Sequence, residues 1–491
     1  MTLSTLLITF TIVAAILTAL MVFILKIHKK VYITYIQNFL GVWYIFSGWV
    51  KAVDPLGTSY KLEQYFTEFE TTFEPTWLGF ISPLFPFLSS IAIYVSVFVI
   101  LLEILLGVAL IIGWRPKFTG RLFFLLLVFF TVLTGFTYLT GYVGNGVNFF
   151  EFSKWGEFSE NNMKVKDCGC FGDFIKLKPK VSFFKDVFLL IPAFIVLFGG
   201  KSWHQLFSKG IRSSILAVTA LGLLIYCMSN FAWDIPSKDF RPFKIGADIK
   251  AERNAQLNAM GSVKILAWKL KNRSSGKVVE LSNDVYMKEF KSYPKEEWEI
   301  IDQVKSKPSI EANKISEMEF SSFDGYDVTE EILDAEGPSF LIVAHKLYAK
   351  PYQETMTVLD SLFVTDTLQR ADDGVEMFVK RFDRTVEKQV EMTKYKWDEG
   401  YIEDWKTVIK PIADKAKEKG AKMYVVSGGA TEEMAESLKN TTGIDATYLN
   451  ADDILLKTIV RSNPGIVLWE NGKILNKWHK SKFPGIDNCG L

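Results

Sequence analysis

The sequence predicts an α-helical membrane bundle of about six spans, followed by a soluble α/β domain. Hydrophobic residues form 49% of the 491-residue chain, but they are concentrated in long apolar runs before residue 233. Most of these runs reach or exceed the length of about 20 residues that a bilayer requires. The remainder is polar, and its last part alternates strands with helices, which indicates a sheet with helical crossovers. We therefore expect a membrane domain (1–233), a linker with a small hairpin (234–317) and an α/β domain (318–491).

The basic residues that flank the apolar runs predict an orientation. The six runs are 3–25, 31–53, 84–113, 122–142, 181–197 and 211–233. Clusters of Lys and Arg follow the first run, separate the third from the fourth, and separate the fifth from the sixth, so all three lie on one side if the runs alternate. By the positive-inside rule that side is the cytoplasm. The sequence thus predicts a multi-pass protein of the bacterial inner membrane, with residues 167–173 and the C-terminal domain in the oxidising periplasm.

Two of the four cysteines, Cys168 and Cys170, lie in the polar segment Asp167-Cys-Gly-Cys-Phe-Gly-Asp173. In an extended chain, residues i and i+2 are about 6.6 Å apart, so a disulfide closes only if the backbone bends, which Gly169 permits. A strained, exposed disulfide tends to be labile or catalytic. We interpret the two cysteines as a redox-active pair. Three alternatives are a static staple, two free thiols, and capture of a soft metal without a neighbouring histidine.

Ionisable residues inside membrane spans are costly and usually functional. Glu103 lies deep in the third run, at a depth where Asn38 or Tyr44 of the second run could donate a hydrogen bond to it; the alternative is a helix-packing carboxyl. Lys51 and Asp54, near the outer end of the second run, can pair or extend their charges to the surface. Glu103, Tyr44 and Lys51 are our candidates for binding a membrane quinone.

The two remaining cysteines are candidate resolving thiols. Cys227 lies near the outer end of the sixth run, and Cys489 lies in a C-terminal tail that we expect to be mobile. Either thiol could exchange disulfides with Cys168 or Cys170 in the segment 167–173, which we call the cysteine loop. The alternatives are inert packing for Cys227 and an unpaired tail thiol for Cys489.

The polar half predicts a hairpin followed by the α/β pattern. Residues 263–270 and 277–281 form the expected hairpin, and 296–305 are expected to form a short helix. The apolar run 340–344 is typical of a buried central strand. The charged segment 348–400 is longer than such a fold requires, and we expect it to be a helical insertion that binds a partner.

The membrane half resembles a known family. The stretch 41–57, Gly-Val-Trp-Tyr-Ile-Phe-Ser-Gly-Trp-Val-Lys-Ala-Val-Asp-Pro-Leu-Gly, with Glu103, Gly107 and Gly113, is similar to the DoxX-type membrane fold. The Cys-Gly-Cys-Phe-Gly loop resembles the MauE branch of that superfamily, which is distantly similar to vitamin K epoxide reductase-like bundles. The resemblance implies a four-helix core with added helices and a role in disulfide or quinone-linked redox chemistry.

The soluble half resembles a thioredoxin of the TlpA-like type over about 318–484. Pro464 matches the cis-proline of that family, but the decisive position departs from it: after the strand 340–344, where a thioredoxin has Cys-x-x-Cys, this chain has His345-Lys-Leu-Tyr-Ala-Lys-Pro351. The resemblance therefore implies a redox-inert module for docking or substrate recognition.

These observations lead to a primary hypothesis and two alternatives. The primary one is a thiol-disulfide or quinone oxidoreductase in which Cys168 and Cys170 exchange electrons with a periplasmic thiol partner. Asp167 and Asp173 would raise the thiol pKa, unless nearby lysines compensate. The alternatives are a non-catalytic subunit or assembly factor of a larger membrane complex, and a transporter based on Glu103. Apart from membrane lipid, we expect protein partners; a net charge of +1 without a strongly basic half argues against nucleic acid.

Overall fold

The computed structural model describes residues 2–165, 169–369 and 376–489. The chain forms two compact units, Met1–Lys244 and Ile245–Leu491. The division falls eleven residues beyond the end of the expected membrane domain, so most of the expected linker and hairpin region belongs to the C-terminal unit.

The N-terminal unit is helical. Its helices are α1 (Leu3–Ala19, continued by a π-helical turn to Ile24), α2 (Val31–Val53), α3 (Pro55–Phe73), α4 (Leu84–Ser90), α5 (Ala92–Ile112), α6 (Pro116–Leu139), α7 (Pro179–Phe198) and α8 (Lys209–Ser229). Among the described residues, five segments are long and apolar enough to cross a membrane: α1 with its π turn, α5, α6 with the following turn to Tyr142, α7 and α8. The membrane-spanning character expected of this half is therefore shown.

The helix α2, which corresponds to the second predicted span, does not reach that apolarity. It has 23 residues, but Gln37, Asn38, Ser47 and Lys51 are all buried within it. It packs against α1, α5, α7 and α8. Because the neighbouring helices cover it, its polar side chains face protein rather than lipid, as is usual for polar residues in a bundle.

Glycines allow α2 and α5 to approach closely. A Cβ atom built at Gly41 would lie 2.8 Å from the carbonyl oxygen of Gly107, and one built at Gly107 would lie 2.8 Å from that of Gly41. Gly48 lies equally close to Ile104, since a Cβ there would be 2.5 Å from its Cγ1 atom. Small residues at such crossings bring helix backbones together. This contact fixes the register in which Lys51 meets Glu103.

The segment 54–83, between the second and third apolar runs, is largely helical. Asp54 caps α3 by accepting a hydrogen bond from the Gly57 amide, and Pro55 occupies the first turn. The third apolar run is divided at Ile91 into α4 and α5. Glu103 consequently lies close to the midpoint of a shorter span.

The C-terminal unit is an α/β structure. Its helices are α9 (Ile249–Gly261), α10 (Asn283–Glu289), α11 (Thr329–Leu333), α12 (Glu399–Asp404), α13 (Lys410–Glu418), α14 (Glu432–Thr442) and α15 (Asp453–Ile459). Its strands are β1 (Ile265–Asn272), β2 (Val278–Ser282), β3 (Trp298–Lys305), β4 (Pro338–Ala344), β5 (Ala349–Gln369), β6 (Glu376–Trp397), β7 (Lys422–Gly428), β8 (Thr447–Ala451), β9 (Gly465–Glu470) and β10 (Lys473–His479). They form a three-stranded sheet, a five-stranded sheet and a two-stranded ribbon.

The five-stranded sheet has the order β10-β9-β4-β7-β8. Strands β4, β7 and β8 are parallel, whereas β9 runs antiparallel to β4 and β10 antiparallel to β9. The central strand β4 is apolar on both faces and Phe340 to Ala344 are fully buried, as its composition predicts. Trp405, between α12 and α13, fills the core beside it.

Two secondary-structure expectations for this unit are wrong. Residues 298–305 form β3, which pairs with β1 in the three-stranded sheet, because the sequence Trp-Glu-Ile-Ile-Asp-Gln-Val-Lys favours a strand over a helix. In the insertion 348–400, the described residues 349–369 and 376–397 form the strands β5 and β6 rather than helix, and these strands pair along their whole length as a long antiparallel ribbon. Its Thr, Val and aromatic residues alternate with charges, which is typical of paired strands.

Candidate functional site

The first component of the site is a buried ion pair between two helices. The Lys51 ammonium of α2 lies 2.7 Å from Oε2 and 2.9 Å from Oε1 of Glu103 on α5, and it also donates a hydrogen bond to Ser47 at 3.0 Å. The Lys51 side chain is 6% exposed and that of Glu103 is 2% exposed. The partner of Glu103 is therefore Lys51 rather than Asn38 or Tyr44, and the Lys51 ammonium is buried instead of extending to the surface.

A second buried ion pair lies on α7. The Lys185 ammonium is 2.5 Å from Oδ1 of Asp186, and Oδ2 of the same carboxylate accepts a hydrogen bond of 3.0 Å from Thr134 of α6. Both side chains of the pair are buried. The sequence analysis missed these residues, although two adjacent charges inside the apolar run 181–197 are the same signal that identified Glu103.

The described part of the cysteine loop, residues 169–173, packs into the bundle between these pairs. The Ser47 hydroxyl donates a hydrogen bond of 3.0 Å to the backbone carbonyl of Cys170. The following residue, Phe171, is 1% exposed and its ring lies 5.9 Å from that of Trp43. The Lys185 ammonium lies 5.7 Å from the Phe171 ring centre and 5.8 Å from that of Trp43. Cys170 is thus anchored beside both ion pairs, whereas Cys168 lies outside the described residues.

The Cys170 thiol is in a weakly hydrated and highly charged environment. Burial raises the pKa of this thiol. The Lys185 ammonium lowers the pKa and Asp186 raises it; Lys51 lowers it and Glu103 raises it to a smaller extent. The residue keeps some accessible surface, and its thiol is free. All four charged groups of the two ion pairs therefore act on one thiol of the predicted redox pair.

Tyr44 adds an unsatisfied polar group to this cluster. Its side chain is 3% exposed, its hydroxyl has no hydrogen-bond partner among the described residues, and its ring packs 4.4 Å from that of Phe123. Glu103, Asp186 and Cys170 are its electrostatic neighbours. A buried hydroxyl without a partner is unfavourable, so this atom is suited to bind an oxygen of a ligand.

The other predicted residues lie elsewhere. Asn38 donates to Thr18 on α1 at 3.0 Å. Cys227 is fully buried among Ala52, Ile100 and Ile104, as in the inert-packing alternative. Cys489 is not in a mobile tail: it is 6% exposed in the core of the α/β unit, and its thiol donates to the Ile486 carbonyl.

The α/β unit contains a second predicted feature, at the end of β4. The Asn463–Pro464 peptide bond is cis. The side-chain amide of Asn463 donates a hydrogen bond of 2.7 Å to the backbone carbonyl of Lys346. His345 stands at the start of this loop; burial, Lys457 and Arg461 lower its pKa to about 3. The loop after β4 and the proline loop are therefore adjacent, and the first of them begins with a histidine that is neutral near pH 7.

No cluster of three or more potential metal ligands occurs among the described residues. Comparisons with family models, with curated proteins and with solved structures give no match for this chain.

Proposed function

We propose that this protein is a thiol oxidoreductase of the bacterial inner membrane, in which Cys168 and Cys170 alternate between dithiol and disulfide. In the oxidising direction two S–H bonds break and one S–S bond forms, and a quinone that receives the two electrons and two protons becomes a quinol. The loop would exchange its disulfide with a periplasmic thiol partner through a mixed disulfide. The single observation that carries the proposal is the hydrogen bond from Ser47 to the Cys170 carbonyl, because the same Ser47 hydroxyl accepts from Lys51 and so links the cysteine loop to the Lys51–Glu103 pair.

A quinone fits the polar groups of this cluster. The Tyr44 hydroxyl would donate to a ring carbonyl, and Lys51 and Glu103 would orient that donor and its surroundings. When bound, the quinone supplies a two-electron, two-proton acceptor. The aromatic rings of Trp43 and Phe171 beside it would exclude water from the thiol.

The α/β unit would hold the partner. Its strand order, the cis-proline and the adjacent loop after β4 support a thioredoxin-like module. Because His345 occupies the place of the usual nucleophile, this module would recognise a substrate rather than oxidise it.

Alkylation with a mass-tagged maleimide tests the proposal in cells. Cys168 and Cys170 should be trapped in different proportions of thiol and disulfide when the respiratory state changes. A Cys168→Ser or Cys170→Ser variant should lose function and accumulate a mixed-disulfide adduct with the partner. A loop with an unchanging redox state, together with serine variants that behave like the parent, would exclude the redox cycle.

The second candidate function is a non-catalytic subunit or assembly factor. The long ribbon of β5 and β6 favours it, because such an extension offers two strand edges for binding. In that case the cysteine pair would be a static staple, and deletion of the ribbon would abolish function while cysteine variants would not.

A further inference from the structure

Among the cations near Cys170, Lys185 has the largest effect on the pKa of the thiol. The reaction proposed above assigns no role to this lysine. Lys185 lies one residue before Asp186 on α7, and its ammonium lies over the rings of Phe171 and Trp43, next to the loop that carries Cys170. It is buried with an exposed fraction of 9%. A buried ammonium of this kind is costly unless it is paired, and Asp186 is the partner that satisfies it.

We propose that Lys185 is a positioning residue for the redox loop: its ammonium stabilises the thiolate of Cys170, and Asp186, held by Thr134, fixes that ammonium beside the Phe171 ring. This inference rests on the proposed function, because a thiolate is needed only if Cys170 takes part in thiol exchange.

The arrangement explains how a buried thiol can react. Burial disfavours the thiolate, and the acidic residues of the loop were expected to disfavour it further. Lys185 supplies the opposing positive charge from inside the bundle rather than from the loop. Because the ammonium keeps its proton throughout, the proton that Cys170 releases is one of the two taken up by the quinone.

Asp186 has two effects of opposite sign on this thiol. It holds Lys185 in place, but its own negative charge lies close enough to oppose the thiolate. Thr134 fixes the carboxylate from the neighbouring helix α6. Asp186→Asn keeps an oxygen that can accept from Lys185 and removes the negative charge, whereas Lys185→Met removes the positive charge. The two substitutions should therefore change the reactivity of Cys170 in opposite directions, a result that loss of folding cannot imitate.

The test measures the alkylation of Cys170 as a function of pH. The full chain carries Cys168→Ser, Cys227→Ser and Cys489→Ser, so that Cys170 is the one thiol left, and it is treated with iodoacetamide in membranes between pH 6 and pH 10. Lys185→Met should lower the rate at pH 8 by roughly tenfold, which corresponds to a rise of about one unit in the thiol pKa. Lys185→Arg should restore the parental profile, and Asp186→Asn should accelerate the reaction severalfold.

The matched control is Lys180→Met, an exposed lysine on the same helix, which should leave the profile unchanged. If Lys185→Met does not fold, the Asp186→Asn and Lys185→Arg variants still decide the question. Profiles that are identical in the parent, Lys185→Met and Asp186→Asn would overturn the inference, as would equal slowing by Lys180→Met. The measurement reports the thiol alone, so its outcome is independent of whether the loop cycles in cells.

Discussion

The ammonium of Lys51 lies 2.7 Å from the nearer carboxylate oxygen of Glu103, and both side chains are almost completely buried. Glu103 is close to the midpoint of a helix that is apolar enough to cross a membrane. The mutual attraction of two such charges compensates for their desolvation only while both are present. The pair therefore places two interdependent charges in the buried interior of the N-terminal unit.

Removing one member of this pair should be more damaging than removing both. Lys51→Met or Glu103→Gln should each lower the free energy of unfolding by about 3 kcal/mol or more, since an unpaired buried group remains. The double variant Lys51→Met/Glu103→Leu should lose less than either single variant, because no unpaired buried group remains. Thermal unfolding of the detergent-solubilised chain measures this difference.

The exposed pair Lys154–Glu151 is the control for this prediction. Its side chains are 61% and 39% exposed, so Lys154→Met should cost less than about 1 kcal/mol. Equal losses for Lys51→Met and Lys154→Met would contradict a buried pair.

The close contact of α2 with α5 can be tested at its glycines. Gly41→Ala should destabilise the bundle by about 1–3 kcal/mol, because the added methyl group would meet the Gly107 carbonyl oxygen at a distance that forces the helices apart. Gly222→Ala on α8 is the control: nothing lies within 4 Å of a Cβ at that position. It should be neutral or slightly stabilising. A reversed order of the two thermal midpoints would show that the helices do not cross at Gly41.

Local patterns predict much of this fold. The central strand β4, the strand β7, the helix capped by Thr431 and the hairpin at Asn471-Gly472 all follow from apolar runs and turn residues. The ribbon was missed because its charges suggested an exposed helix, whereas its cross-strand pairs make each strand stable only with its partner. The sequence of one strand alone therefore does not predict that it pairs with the other.

The site was predictable only in part. Glu103, Lys51, Tyr44 and Cys170 were selected individually, since each is polar or reactive in an apolar context. Their partners depend on which helix faces meet. Lys51 lies near the C-terminal end of α2 and would extend to the surface in an isolated span, but the antiparallel contact with α5 directs it to Glu103.

The hydrogen bond from Ser47 should restrain the cysteine loop. Ser47→Ala removes the donor to the Cys170 carbonyl, and we expect the loop to open more often, so that Cys170 reacts severalfold faster with a water-soluble maleimide. Alkylation of the variant in which Cys170 is the one cysteine measures this rate. Ser90→Ala, whose hydroxyl only donates to its own helix, is the control. Slower labelling of Ser47→Ala would contradict an anchoring role.

His345 should make the α/β unit less stable in acid. Burial and the neighbouring cations lower its pKa to about 3 in the folded chain, whereas an unfolded histidine titrates at about 6.5. Between these values the unfolded state binds more protons, so the free energy of unfolding falls as the pH drops from about 6.5 towards 3.

The variant His345→Gln cannot bind this proton. Between pH 7.5 and pH 5 it should lose about 2 kcal/mol less stability than the parent, which thermal unfolding at the two pH values would reveal. Lys350→Gln, at an exposed position on β5, should keep the parental pH dependence. A parental dependence in His345→Gln would show that another group is responsible.

The β5–β6 ribbon should be dispensable for folding of the five-stranded sheet. Near its base, the indole of Trp397 donates to Ser437 and the Tyr395 hydroxyl contacts that of Thr431, while most of its described side chains between 352 and 364 are exposed. Replacing residues 353–393 by an Asn-Gly turn keeps this base intact. We expect a thermal midpoint within a few degrees of the parent, because little buried apolar area is removed.

The same deletion separates the two candidate functions. If the protein is an oxidoreductase whose partner binds the sheet, the deletion variant should still form the mixed disulfide that Cys168→Ser or Cys170→Ser traps. If the ribbon is the binding surface of an assembly factor, co-purifying partners should disappear while the redox state of the loop stays as in the parent. A variant that fails to fold would instead show that the ribbon stabilises the α/β unit, contrary to the exposure of its strands.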